Sequence, residues 1–269
     1  MAPIGTGIPW TLPPPQRYVF RRASLVDPVE GVVHRNVTVS TANGRIESVI
    51  YDQKEPGGSP VIVDSDSNNN DTTVEVDLQG KYLCPGLIDC HVHLNAVPGE
   101  ATLGQMKKLR PEVIALRQPH LCRLMLERGF TTARDCGGSS IALKDAIAQG
   151  VVQGPRLFIA GHQLTQTGGH GDTRDVYDTT PCSGGHVFGT SGLLCDGVPE
   201  CLRFETSEFA LRAGVLSPVK ILQSATINAA RMLRQEQFLG QIKPGFAADL
   251  LVLARNPLED IRVLDDPDR

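Results

Sequence analysis

The stretch Cys84-Pro85-Gly86-Leu87-Ile88-Asp89-Cys90-His91-Val92-His93 decides how this chain is interpreted, because an apolar run ends in two histidines two positions apart. Side chains at i and i+2 of a β-strand lie on the same face, about 7 Å apart along the strand. His91 and His93 could therefore converge on one metal ion, and imidazole is a standard ligand of zinc and its neighbours. His-x-His alone is also compatible with a strand that carries two incidental histidines.

Length and charge exclude some classes of function. The 269 residues are enough for one large domain or two small ones. The net charge is −4, from 26 basic and 30 acidic residues, which gives no reason to expect nucleic acid or an acidic membrane as a partner. No stretch approaches the roughly 20 apolar residues of a membrane span. Residues 1–16 are rich in Pro and Gly and lack the layout of a secretory signal.

The seven cysteines favour a reducing compartment. They form no C-x-x-C pair, and four of them lie in apolar segments: Cys84, Cys90, Cys122 and Cys136. We therefore expect reduced core thiols and a cytoplasmic protein. The remaining three lie in a Gly-rich region, where a disulfide stays possible.

The first quarter of the chain has the pattern of short strands. Residues 17–51 alternate in polarity, and Asn43-Gly44 is a strong signal for a two-residue hairpin turn. Residues 52–72 form a polar loop rich in Gly, Ser, Asp and Asn, and a further strand is expected at 74–77.

From Leu83 onward the pattern becomes strand followed by helix. The expected strands are 87–94, 130–135 and 156–160, and the expected helices are 112–128 and 140–149. This alternation predicts parallel βα units. The apolar positions expected on the first helix are Val113, Leu116, Leu121, Leu124 and Met125. Residues 164–198 look irregular. A helix from Ser217-Pro218 to about Leu233 and strands at 240–242 and 249–253 close the chain.

These blocks, in this order, resemble the amidohydrolase superfamily of metal-dependent hydrolases. More narrowly, they resemble its imidazolonepropionase-like and dipeptidase-like branch, which includes fungal amidases that hydrolyse ochratoxin. Besides the opening stretch, the matching blocks are residues 129–135, 154–172, 225–231 and 240–250.

The resemblance implies an α/β fold, a (β/α)8 TIM-type barrel flanked by a small β-sandwich. On this basis residues 17–80 and 239–265 form a composite β-sandwich domain, and residues 81–238 form the barrel. A complete barrel takes about 250 residues, whereas this segment offers little more than half of that and three recognisable strands. We therefore expect an incomplete barrel that lacks its central block, with the junction near residues 203–206.

The resemblance also implies that His91 and His93 bind Zn²⁺ or another divalent transition metal, with one or two ions in the intact family. The family completes its site with a lysine on the fourth strand, histidines on the fifth and sixth, and an aspartate on the eighth. We find none of these here. Lys220 resembles the metal-binding lysine, but the Ser217-Pro218 signal places it on a helix.

Other polar residues near the expected strand ends are weaker candidates for the functional site. The resemblance makes His170 and His162 candidates for substrate binding, since both follow the third strand. Asp135 is expected to cap a turn or to pair with Arg134, and Asp89 to anchor the end of its strand. His34, His120 and His186 are expected at the surface, and no catalytic residue is assigned.

Two functions follow from these observations. By resemblance, the chain is a metal-dependent hydrolase of carbon–nitrogen bonds in small amide or dipeptide-like substrates. The alternative is a catalytically inactive fragment or interaction module, because most metal ligands are missing. An open parallel sheet would also expose an edge and an apolar face, so we expect self-association, for example as a homo-oligomer.

Overall fold

The computed structural model describes residues 16–51, 73–97, 99, 109–160, 163–165, 192–194 and 216–264. Predictions for His162, His170, His186, Cys182, Cys195, Cys201 and the 203–206 junction lie outside these residues. The chain divides into two compact units, one within Asp89–Thr206 and one formed by Pro13–Ile88 and Ser207–Arg269. The domain boundaries suggested above stay a prediction.

The structure is a mixed α/β fold with several sheets. The strands are β1 (Arg17–Asp27), β2 (Val32–Ala42), β3 (Arg45–Tyr51), β4 (Thr73–Asp77), β5 (Tyr82–Pro85), β6 (Leu87–Val92), β7 (Phe130–Asp135), β8 (Arg156–Ile159), β9 (Gln163–Thr165), β10 (Gly192–Leu194) and β11 (Leu250–Leu253). The α-helices are α1 (Pro111–Glu127), α2 (Ile141–Ala148), α3 (Pro218–Ser224) and α4 (Ile227–Met232), and a 3-10 helix spans Ile261–Leu264.

A six-stranded sheet has the order β11-β5-β1-β2-β3, with β4 also paired to β1. The predicted hairpin between β2 and β3 is confirmed, because Ala42 pairs with Arg45 across a two-residue turn. Asn43 and Gly44 both have positive φ, at 53° and 72°, as a type I′ turn requires. Local turn chemistry therefore sets the register of this edge of the sheet.

One face of this sheet supplies an apolar core. The buried cluster consists of Ala23, Leu25, Val37, Val39, Ile46, Leu78, Leu83 and Ile242. Val37 and Val39 are two residues apart, so they point to the same face of β2. The alternation of side chains along the strand thus explains which face of the sheet is buried.

A second sheet has the order β6-β7-β8, and β7 and β8 pair in parallel. The prediction of parallel βα units is confirmed for this pair. Side chains from the strands and from α1 and α2 form one core cluster: Leu94, Cys122, Ala133, Leu143 and Leu157. The helices therefore cover one face of the three-stranded sheet.

The predicted apolar face of α1 is confirmed in part. Leu121 and Met125 pack against the core cluster, whereas Leu116 is 82% exposed. The fully buried positions, spaced four apart, are Ile114, Gln118 and Cys122. Hydrophobicity therefore indicates part of the packed face but not the glutamine within it.

The predicted helix from Ser217 to Leu233 is two helices, α3 and α4. The backbone leaves the helical conformation at Thr226, where φ is −130° and ψ is −92°. Hydroxyls close the break, since Ser224 Oγ donates to the Ile221 carbonyl and Thr226 Oγ1 to the Leu222 carbonyl, both at 2.7 Å. Such bonds compete with the regular helix ladder.

Two further details correct the sequence-based picture. Residues 240–242 do not form the expected strand, because Gly240 has a φ of +83° and its α-carbon packs against the Thr226 carbonyl. The segment expected to be irregular contains β9 and β10, which pair in parallel. The strand expected at 249–253 is confirmed as β11.

Candidate metal centre

The opening stretch forms β6 and the turn that follows it. Leu87 and Ile88 are buried, and the next five residues, up to His93, are half-buried. Asp89 Oδ1 accepts the backbone N–H of His91 at 3.0 Å, which fits the expected role of Asp89 as an anchor. The strand ends at Val92, so His93 lies one residue beyond it.

The two imidazole rings lie side by side. Their centres are 5.3 Å apart and the ring planes make an angle of 74°. Val92, between them in sequence, packs against the core formed with the helices. This separation is compatible with two imidazoles that share an ion, because zinc holds each ligating nitrogen at about 2.0–2.1 Å.

A backbone carbonyl sets the tautomer of His93. The Nδ1 atom lies 3.0 Å from the carbonyl oxygen of Gly137, in the loop after β7. A carbonyl can only accept, so Nδ1 carries the proton and Nε2 presents a lone pair. Metal-binding histidines are commonly held in this way, with one ring N–H donated to a carbonyl or carboxylate.

The surroundings of His91 favour its neutral form. Burial lowers its pKa from the ordinary value, and the positive charges of a protonated His93 and of Arg134 act in the same direction. Its Nε2 atom is shielded from solvent. Only the neutral imidazole ligates a metal, so the surroundings of His91 suit that chemistry.

Asp135 is fully buried and caps the turn after β7, as one of the two sequence-based alternatives proposed. Its Oδ1 accepts the backbone N–H groups of Gly137 at 2.8 Å and Ser139 at 3.3 Å. Its Oδ2 accepts the N–H of Leu94 at 2.8 Å and the hydroxyl of Ser139 at 2.6 Å. Both carboxylate oxygens of Asp135 thus accept hydrogen bonds from other groups of the protein.

Arg134 places a positive charge beside the histidines. Its guanidinium donates to the Cys90 carbonyl at 3.3 Å and approaches Cys136 Sγ at the same distance. Cys84, Cys90, Cys122 and Cys136 form no disulfide among the residues that the structure describes. Lys220 lies within α3, consistent with its placement on a helix.

Two parts of this centre were not predicted from the sequence. The Gly137 carbonyl and Ser139 lie in the short segment between the expected strand 130–135 and the expected helix 140–149, to which we assigned no functional role. Gly137 and Gly138 do form bends with positive φ, at 151° and 112°. The sequence carries no signal for the carbonyl, because every residue has one.

Other potential ligands lie elsewhere in the described residues. Asp27, Glu30 and His34 offer ligand atoms within 4.8 Å of one another, at a partly exposed turn between β1 and β2. Asp27 Oδ1 already accepts the N–H groups of Val29 and Glu30 there. Within the same described ranges, no third His, Cys, Asp or Glu side chain joins His91 and His93 in such a group.

His120 is exposed on α1, as expected, and His34 is half-buried on β2. Among the helices that the structure describes, none is both long and apolar enough to cross a membrane.

Comparison with known proteins identifies relatives of the chain. Ochratoxinase of Aspergillus niger is 28% identical over 209 residues, which cover 72% of this chain and 40% of that protein. Imidazolonepropionase of Klebsiella pneumoniae is 29% identical over 161 residues, 48% of this chain and 36% of that protein. The chain thus spans well under half the length of these curated relatives.

Solved structures show the same fold. A prolidase complexed with N-methylphosphonate-L-proline superposes with a TM-score of 0.79 at 23% identity, over 94% of this chain and 96% of that one. The crystal structure of A. niger ochratoxinase gives a TM-score of 0.68 at 17% identity, over 95% of this chain and 93% of that one. The mixed α/β fold is therefore similar to that of amidohydrolase proteins.

The family model supplies the most extensive evidence. The model described as "Amidohydrolase family" matches residues 82–210 and 186–268, more than half of the chain. The first match begins just before the stretch that carries His91 and His93. The chain belongs to the amidohydrolase family.

Proposed function

We propose that this chain is a metal-dependent hydrolase of carbon–nitrogen bonds in small amide or dipeptide-like molecules. His91 and His93 would hold Zn²⁺ or another divalent transition metal ion. The observation that carries the proposal is the pair of rings 5.3 Å apart, with the proton of His93 directed to the Gly137 carbonyl. Family membership supports the hydrolytic chemistry.

The residues present fit a metal site in part. The lowered pKa of His91 and the hydrogen bond at His93 Nδ1 suit metal binding, but catalytic zinc normally keeps three protein ligands. When bound, a divalent ion supplies an acidified water and polarises a carbonyl. The chain's own residues hold the ion and orient the rings, and Arg134 keeps a positive charge beside them. No general base is assigned.

We further propose an incomplete (β/α)8 barrel, with β6, β7 and β8 and the helices α1 and α2 as its opening units. Residues 81–238 would form this barrel and residues 17–80 and 239–265 the β-sandwich. The match to 40% of ochratoxinase supports the loss of a central block. His162 and His170 remain candidates for substrate binding.

The second candidate function is an inactive fragment or interaction module. It is supported by the extent of the match, since the chain covers 40% of ochratoxinase and the sequence offers no counterpart of the family's metal-binding lysine, later histidines and aspartate. A homo-oligomer would cover the edges that β6 and β8 leave unpaired among the described strands.

Hydrolysis by the full chain tests the proposal. Purified protein loaded with Zn²⁺, Co²⁺ or Mn²⁺ is assayed on Xaa-Pro dipeptides, N-acyl amino acids and imidazolone substrates. We expect metal-dependent turnover that the His91→Ala/His93→Ala variant loses and that His120→Ala, at an exposed helix position, keeps. Bound metal without turnover would favour the interaction module. Turnover in the double variant would contradict the proposed site.

A further inference from the structure

We infer that Asp135 is a positioning residue for His93, holding both its backbone and its ring through one buried carboxylate. The inference rests on the proposed metal role of His93. The group formed by Asp135, Leu94, Gly137 and Ser139 is called the aspartate clamp below.

The clamp reaches His93 from two directions. On the backbone side, Oδ2 of Asp135 accepts the N–H of Leu94, the residue directly after His93, at 2.8 Å. On the ring side, Oδ1 accepts the N–H of Gly137 at 2.8 Å, and the carbonyl of that glycine lies 3.0 Å from His93 Nδ1. One carboxylate therefore fixes the start of the turn and the group that sets the ring.

The loop that carries the carbonyl is held closely. Gly138 has a φ of +112°, and a Cβ there would lie 2.3 Å from the side chain of Asn95. Ser139 returns two bonds to Asp135, through its N–H and its hydroxyl. The Gly137 carbonyl is therefore part of a closely packed loop that directs it toward His93.

The clamp needs a carboxylate in particular. A buried charge is costly unless it is fully hydrogen-bonded, and Asp135 at 0% exposure accepts four bonds. An ionised carboxylate only accepts, whereas one end of an asparagine amide donates. In Asp135→Asn the NH₂ group would face the N–H of Leu94 in one orientation and the N–H of Gly137 in the other. The first orientation opposes the N–H of Leu94, since the Ser139 hydroxyl can rotate to accept from the amide, and the second opposes the N–H groups of both Gly137 and Ser139.

The test separates positioning from simple capping. We compare the full-length wild type with Asp135→Asn and Ser139→Ala. Thr132→Val is the matched control, because Thr132 is a buried polar residue of the same strand whose hydroxyl accepts a bond from Arg156, away from the clamp. The readouts are Zn²⁺ affinity by competition with a chromophoric chelator, the His93 ring tautomer by ¹⁵N NMR of metal-free protein, and thermal stability.

We expect Asp135→Asn to weaken Zn²⁺ binding by about 10–100-fold and to mix the two tautomers of His93. Ser139→Ala should shift both in the same direction by a few-fold, since three of the four bonds remain. Thr132→Val should lower stability and leave affinity and tautomer as in the wild type.

A lower melting temperature in Asp135→Asn with unchanged affinity and tautomer would overturn the inference, because the clamp would then be only structural. If Asp135→Asn does not fold, wild-type affinity and tautomer in Ser139→Ala overturn it instead. If the wild type binds no Zn²⁺, the proposed function fails. The tautomer measurement on metal-free protein still decides whether Asp135 positions His93.

Discussion

The six-stranded sheet and the three-stranded sheet differ in where their ionisable side chains lie. In the first, ion pairs such as Arg21–Glu75 and Arg22–Asp77 lie exposed along β1 and β4, and the core is apolar. In the second, Asp135 is buried at a strand end and two histidines stand half-buried beside it. Polar groups are removed from water only where hydrogen bonds satisfy them. The three-stranded sheet, which buries such polar groups, is also the one with the geometry of a binding site.

The largest expected contrast concerns thiol reactivity. Burial raises the pKa of Cys84, in the six-stranded sheet, from 9.0 to about 12, which lowers its thiolate fraction about a thousandfold near pH 8. Cys136, beside the histidines, is half-buried, and burial raises its pKa as well. Iodoacetamide labelling followed by mass spectrometry should modify Cys136 well before Cys84. Equal labelling of both in the native protein would contradict the contrast.

The next effect is a cavity in the apolar core. Leu83 is fully buried at the centre of the six-stranded sheet, so Leu83→Ala should lower the free energy of unfolding by about 2–5 kcal/mol. Urea denaturation followed by circular dichroism measures the loss. Leu116→Ala is the control, because that side chain is 82% exposed on α1 and its loss should change little. Comparable losses in both variants would show that the burial assignments are wrong.

A smaller effect separates backbone strain from close packing. Gly240 and Gly245 have nearly the same φ, +83° and +86°. A Cβ at Gly240 would lie 2.8 Å from the Thr226 carbonyl oxygen, whereas one at Gly245 meets nothing within 4 Å. Gly245→Ala should cost about 1 kcal/mol from the positive φ alone, and Gly240→Ala clearly more. Equal melting temperatures for the two variants would contradict the packing of Gly240 against the helix break.

The smallest effect is expected at the exposed ion pairs. Arg21→Ala should leave the urea midpoint at pH 7 and physiological salt essentially unchanged, because solvent screens the pair. Arg21 lowers the pKa of Glu75. Any stability from the pair is therefore present above the usual glutamate pKa of about 4.3 and is lost as the pH falls below it. A large midpoint shift at pH 7 would show that exposed charge matters more in this sheet than proposed.

Local patterns predicted most of the described fold. Asn43-Gly44 specified a hairpin because only a few residue types adopt two successive positive φ angles. The alternation of strands and helices indicated the β7–β8 pairing. The break at Thr226 was missed, and its surroundings include a residue fourteen positions away, since a Cβ at Gly240 would lie 2.8 Å from the Thr226 carbonyl oxygen. Helix propensity is judged from residues close in sequence, so it cannot reveal a contact between residues that are far apart in sequence.

The candidate site likewise has features that the sequence predicted and features that it did not. His91 and His93 could be predicted as neighbours because period-two alternation puts them on one face, and their rings are adjacent. The Gly137 carbonyl, Ser139 and the four bonds of Asp135 could not, because a different strand and its loop bring them together. The spacing of side chains reveals candidate metal ligands that lie on one strand. The hydrogen-bonding groups that orient these ligands come from other parts of the fold.

Zinc binding by the full chain tests the central claim most directly. Isothermal titration with Zn²⁺ is made on the wild type, on His91→Ala/His93→Ala, and on His120→Ala as a control that removes an exposed imidazole. The account predicts about one equivalent of bound zinc in the wild type and in the control, and its loss in the double variant. Retention of that zinc without His91 and His93, or its loss with His120, would contradict the account.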